Sequence, residues 1–207
     1  PGLLALEKGR LLPFFASMAA AATFHSTALV VLLFTLPAVR ARSLTMRALR
    51  LILFISASVV LFQIFLSSSV DKFVGGYLVN EYLSEGAAIR IGMNLLPALL
   101  LLFWQKRFDF TAQQLNLWRA MAFTAIGCTV TLILLPSNST AVDRIALYVI
   151  PIQIAVGCRL PLTRIFNLNA GQWILVVLGF CIAVEFVWLN FASHAFAWLP
   201  YTNVLQL

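Results

Sequence analysis

Four residues of this chain have the chemistry to act on an anion, and they sit where charge is expensive: His25, Arg90, Arg144 and Tyr148. Arg90 follows Glu85-Gly86-Ala87-Ala88-Ile89 and opens one apolar stretch; Arg144 follows Asp143 and opens another, with Tyr148 one helical turn further on. A guanidinium presents paired donors that match phosphate oxygens, and it keeps its charge at any physiological pH. Two such forks at one membrane face would hold a pyrophosphate whose lipid tail stays in the bilayer. The competing reading is structural: Asp143 pairs with its neighbour Arg144, while Arg90 snorkels to the interface. His25 lies in Ala22-Thr23-Phe24-His25-Ser26-Thr27-Ala28. Its imidazole is a candidate general base, or else a packing element bonded to Ser26 or Thr27.

Other polar groups are less pointed. Glu185, in the middle of the last apolar run, is expected to be neutral or paired across helices. Asp71, Tyr77, Glu81, Tyr82 and Glu85 share one segment, as solvated loop residues or as the carboxylates and rings of a sugar groove. Asn138-Ser139-Thr140 matches a glycosylation sequon, a short and weak pattern. Cys128, Cys158 and Cys181 fall inside apolar runs and are expected to be buried thiols acting as small apolar side chains. There is no Walker loop, dinucleotide fingerprint, His-Glu-x-x-His or metal-spaced cluster. Chemistry without a metal or nucleotide cofactor is expected.

The elements that must position these residues follow from composition. The chain has 207 residues, 62% hydrophobic and 10% charged, so it is expected to live in a bilayer. Backbone groups in lipid must be satisfied internally, and the apolar runs lack the alternation of barrel strands. The fold class is therefore all-α, a polytopic transmembrane helical bundle of about six segments in a single domain, 1–207. The runs are Leu11–Leu36, Leu49–Leu66, Ile91–Trp104, Leu117–Leu135, Arg144–Val156 and Gln172–Phe191, followed by a tail from His194 to Leu207. The net charge of +7 lies mostly in short inter-helix segments, so it sets orientation and does not imply nucleic acid. Arg40, Arg42, Arg47 and Arg50, then Lys106, Arg107 and Arg119, then Arg159 and Arg164 mark cytoplasmic ends. Segments 67–90 and 136–144 then face outward. The first run breaks this alternation, because Lys8 and Arg10 precede it and Arg40 and Arg42 follow it. It is either a broken, re-entrant hairpin turning near His25 or one tilted crossing. The chain begins at Pro1 and is expected to be the C-terminal portion of a longer membrane protein.

Four stretches in order carry a resemblance. Ala22-Thr23-Phe24-His25-Ser26-Thr27-Ala28-Leu29 resembles the "fHxSAl" segment of EpsG-like proteins, the Wzy-type polymerases of bacterial exopolysaccharide and O-antigen. Arg90 followed by Asn94, Asp143-Arg144-Ile145-Ala146-Leu147-Tyr148, and Trp198-Leu199-Pro200-Tyr201-Thr202-Asn203 are similar to that family's later motifs. The family's earlier Arg-Gln motif is absent. The resemblance implies a multi-pass protein of the bacterial inner membrane that joins undecaprenyl-pyrophosphate-linked oligosaccharide repeat units at the outer face, without a cofactor. It implies chain-length regulator and flippase proteins as further partners. His25, Arg90 and Arg144 would carry the reaction, and Arg90, Arg144 and Tyr148 would bind the substrate. Two rivals stand beside it. A flippase or transporter would move the same lipid-linked anion without chemistry, although no internal repeat is visible. A non-catalytic membrane scaffold would use the charges as structural pairs.

Overall fold

The computed structural model describes residues 1–39, 43–65, 84 and 86–191. Arg40, Arg42, Asp71, Tyr77, Glu81, Tyr82, Glu85 and the tail signature Trp198 to Asn203 lie outside the described residues. Every regular element among the described residues is helical: α1 Gly2–Glu7, α2 Leu11–Phe24, α3 Val31–Thr35, α4 Leu44–Phe65, α5 Ala87–Trp104, α6 Ala112–Leu134, α7 Ser139–Leu147, α8 Pro151–Gly157 and α9 Ala170–Phe191. The spans Leu44–Phe65, Ala87–Arg107, Ala112–Leu134 and Ala170–Asn190 are each long and apolar enough to cross a bilayer. Ser139–Leu147 with Pro151–Leu162 makes a fifth, bent by 48°. The chain is a multi-pass helical membrane protein. Its contacts divide it into two compact units, 1–156 and 157–207.

In the first unit, the ambiguous first run is a hairpin. Gln113, on the first turn of α6, donates through Nε2 to the carbonyls of both Leu6 at 3.3 Å and Ala38 at 2.5 Å. Residues before and after the run therefore meet at one end of one helix, whereas a single crossing would part them by about 30 Å of hydrocarbon. Trp118 Nε1, further along α6, fastens the same foot by donating to Glu7 Oε1 at 2.6 Å. Gly9, at φ +68°, turns the chain from α1 into α2. Helix α2 then rises through 14 residues, about 21 Å. At His25 the backbone is extended, with φ −151° and ψ 103°. The chain returns through a 3-10 turn Ser26–Val30, α3 and a second 3-10 turn Leu36–Ala38. The break is internally satisfied: His25 N–H bonds to Ala21 C=O at 2.9 Å, and Ala28 N–H bonds to His25 C=O at 3.0 Å. Phe14 and Phe15 pack on Phe54 at 5.9 and 5.1 Å between ring centres, holding the rising arm to α4.

Helices α5 and α6 pack together with Ala98, Ala122 and Ala125 buried. Small side chains let transmembrane helices approach closely, where dispersion rather than water drives association. Ala87, Ile91, Cys128, Val142 and Ala146 form a core shared by α5, α6 and α7. A Thr111–Gln114 capping box starts α6, each side chain bonding the other's backbone N–H. The fifth run differs from its expected continuous form. It breaks after Leu147 because Pro151 has no N–H for the Leu147 carbonyl four residues back. That carbonyl is taken by Ile150 N–H at 3.4 Å instead.

In the second unit, Phe166 and Asn167 hold consecutive left-handed conformations before α9. Asn169 and Gln172 cap that helix reciprocally, at 2.9 Å each way. Of the three cysteines, Cys128 is buried as expected, whereas Cys158 and Cys181 are exposed and all are free.

The hairpin makes a topological prediction. With the native cysteines replaced, Lys8→Cys and Ser43→Cys should both react with a membrane-impermeant thiol reagent from the same side only. Labelling from opposite sides would mean a single crossing.

Candidate functional site

Asp143 is the hub of one polar cluster. It does not pair with its neighbour Arg144, as the structural alternative had it. Arg90, on the first turn of α5, reaches it instead with a two-point clamp: Nε to Oδ1 and Nη2 to Oδ2, both 2.7 Å. Ser84 completes the cluster. Its hydroxyl donates to Asp143 Oδ2 at 3.0 Å and accepts from Arg90 Nη2 at 2.8 Å, and its N–H bonds to Ser139 Oγ at 3.0 Å. Gly86 permits this geometry. It caps α5 at φ +79°, and a Cβ there would stand 3.4 Å from Arg90 Nη1.

The consequence for Arg144 is directional. Asp143 is buried, and successive helical residues point about 100° apart. Fixing Asp143 inward therefore turns Arg144 outward, and its side chain is exposed. The two arginines thus differ: Arg90 has its charge matched by a carboxylate and fastens α7 to α5, while Arg144 projects from the fastened helix.

A second cluster forms where two helix breaks meet. Tyr148 is the first residue past α7, in the interruption that Pro151 causes. Thr27 is two residues past the hairpin's turning point. Its hydroxyl lies 2.5 Å from the Tyr148 hydroxyl and 3.4 Å from His25 Nε2. The Tyr148 break is secured from behind by Asn94, which is buried on α5. Asn94 Nδ2 donates to Ala146 C=O at 2.8 Å and its Oδ1 accepts from Gln153 Nε2 at 2.7 Å.

The structure therefore joins His25 to Tyr148 through Thr27, and Arg90 to Asp143 beside Arg144. Helix α7 carries Asp143 and Arg144 and leads directly into Tyr148. Ser84, Asn94 as a buried brace, Gln153 and the reach of Thr27 to Tyr148 were not foreseen. Their only sequence signal is that polar side chains stand in or beside apolar runs, and this gives no partner. Glu185 is exposed on α9, in the second unit. Among the described residues, no three His, Cys, Asp or Glu side chains gather as metal ligands.

The family model described as EpsG family matches residues 1–203, nearly the whole chain. The chain belongs to the EpsG family. No curated protein and no solved structure matches it. Membership in this polysaccharide-polymerase-like family makes the chain a membrane protein of polysaccharide biosynthesis. Within this EpsG-family chain, His25, Thr27, Arg90, Asn94, Asp143 and Tyr148 fall in the segments Phe24–Leu29, Arg90–Asn94 and Asp143–Tyr148, while Ser84, Ser139 and Gln153 lie outside them.

The Arg90–Asp143 pair has a measurable signature. Removing one partner strands the other's charge, so Asp143→Ala should lower the stability of the full protein in detergent by about 2–3 kcal/mol, allowing for Arg90's partial exposure. The double variant Arg90→Met/Asp143→Leu should recover most of that loss. A double variant less stable than Asp143→Ala would show that the pair is not the fastening.

Proposed function

We propose that this protein is a polymerase of the bacterial inner membrane, joining undecaprenyl-pyrophosphate-linked oligosaccharide repeat units at the outer face. The observation that carries the reading is the exposed Arg144, on a helix fastened by Arg90–Asp143, one turn before the hydroxyl that Thr27 links to His25. In this reading Arg144 binds the pyrophosphate, and Tyr148 orients it or the first sugar. Arg90 acts at one remove, by holding α7. His25 accepts the proton of the acceptor sugar's hydroxyl. That oxygen bonds to the anomeric carbon as the bond from this carbon to the pyrophosphate oxygen breaks, and the electron pair leaves with the pyrophosphate. Arg144 would stabilise the charge gathering on the leaving group, the electrostatic contribution that is often largest in catalysis. With α7 fastened through Asp143, the backbone beneath Arg144 has little to reorganise during the step.

Arg144→Ala in the full-length protein should reach normal membrane abundance and reduce polymer formation by roughly 100–1,000-fold, with single lipid-linked repeat units accumulating at the outer face. Polymer at the normal level would overturn the reading. Repeat units held at the cytoplasmic face would favour transport over polymerisation.

A further inference from the structure

Thr27 has no assigned part in the scheme above, yet it is the one described side chain that bonds both to the hairpin tip and to the break after α7. Its hydroxyl has one hydrogen to donate and lone pairs to accept with, and it stands between the Tyr148 hydroxyl at 2.5 Å and His25 Nε2 at 3.4 Å. Among the described residues no other hydrogen bond orients the His25 ring, which is exposed at an extended backbone position between two helical segments. The backbone fixes where the ring begins, and among the described residues Thr27 is what restrains where its nitrogen points.

We propose that Thr27 is a positioning residue that makes Tyr148 and His25 act as one unit. It rests on the polymerase reading for its effect on turnover, but the link itself is a matter of geometry. The hydroxyl ties the turning point of a re-entrant hairpin to the interrupted span, so the proton acceptor and the substrate-orienting phenol are set by one atom. Threonine suits the place for a second reason. Its methyl group restricts χ1, and its neighbours at the turn are the small Ser26 and Ala28. Serine could supply the same hydroxyl with a looser rotamer, whereas valine keeps the branched shape and removes both hydrogen bonds. These two substitutions therefore separate the hydroxyl from the packing.

The test uses full-length protein in proteoliposomes supplied with a lipid-linked repeat unit, with turnover and KM measured separately. Thr27→Val should slow turnover roughly 10–100-fold with the donor's KM unchanged, and Thr27→Ser should restore it to within about threefold of the parent. Thr27→Val/Tyr148→Phe should be no slower than the slower single variant, since residues acting as one unit are not additive. Full turnover by Thr27→Val, or Thr27→Ser as slow as Thr27→Val at equal abundance, would overturn the proposal. A parallel pair, Thr27→Cys/Tyr148→Cys in a chain lacking the native cysteines, should cross-link with a short bifunctional thiol reagent. If the parent protein forms no polymer, the polymerase reading falls and this cross-link decides alone. Its formation upholds the link, and its absence overturns it.

Discussion

A chain without water around it must satisfy its own backbone, and that constraint governs this structure most where helices stop. Two helices stop inside the apolar region, α2 at His25 and α7 at Leu147. Each break exposes peptide groups that lipid cannot bond, at a cost of several kcal/mol per group. Backbone hydrogen bonds answer at His25, and elsewhere side chains from neighbouring helices do. Asn94 takes the Ala146 carbonyl at one break, and Gln113 takes the Leu6 and Ala38 carbonyls at the foot of the hairpin. Asn94 on α5 thus serves a break, and Gln113 on α6 serves the hairpin's foot. They then become the framework on which the candidate site stands.

The breaks also explain why polar chemistry is concentrated where it is. A continuous helix offers only its side chains to its surroundings, whereas an interrupted one also changes direction and opens room beside it. Discontinuous helices are accordingly a recurrent way to build anion and ion sites in membranes. Here both interruptions fall at a comparable remove from their own ends. Helix α2 runs about 21 Å from the hairpin's foot to its break, and α7 about 14 Å from its start to its own. The contact between Thr27 and Tyr148 is where the two breaks meet.

Much of this architecture was legible in the sequence because hydropathy and charge are local signals. The apolar runs became helices, and cations at both ends of the first run raised a re-entrant hairpin beside a single tilted crossing without deciding between them. What could not be read were partners. Asp143 has an arginine at the next position and another 53 residues away, and it bonds the distant one. Sequence adjacency favours the neighbour, but successive helical side chains diverge, and only packing brings Arg90 across. Thr27 and Tyr148 are 121 residues apart, and no periodicity connects them. The Pro151 interruption was visible as a residue, yet in an apolar stretch it did not distinguish a kinked span from a straight one.

The difference between the two arginines has an electrostatic consequence beyond geometry. If both guanidiniums faced an open site, two uncompensated charges would repel each other and resist desolvation before any ligand arrived. Asp143 removes that difficulty by neutralising Arg90, while its own burial sends Arg144 outward. The cluster then presents one net positive charge on a rigid helix. One mobile cation on a flexible loop would hold a diphosphate less well, because ordering the side chain and its backbone would draw on the binding energy. With α7 fastened through Asp143, the backbone under Arg144 needs no such ordering and only the side chain does. The carboxylate that would at first sight weaken an anion site therefore leaves Arg144 exposed on a helix whose own position is secured.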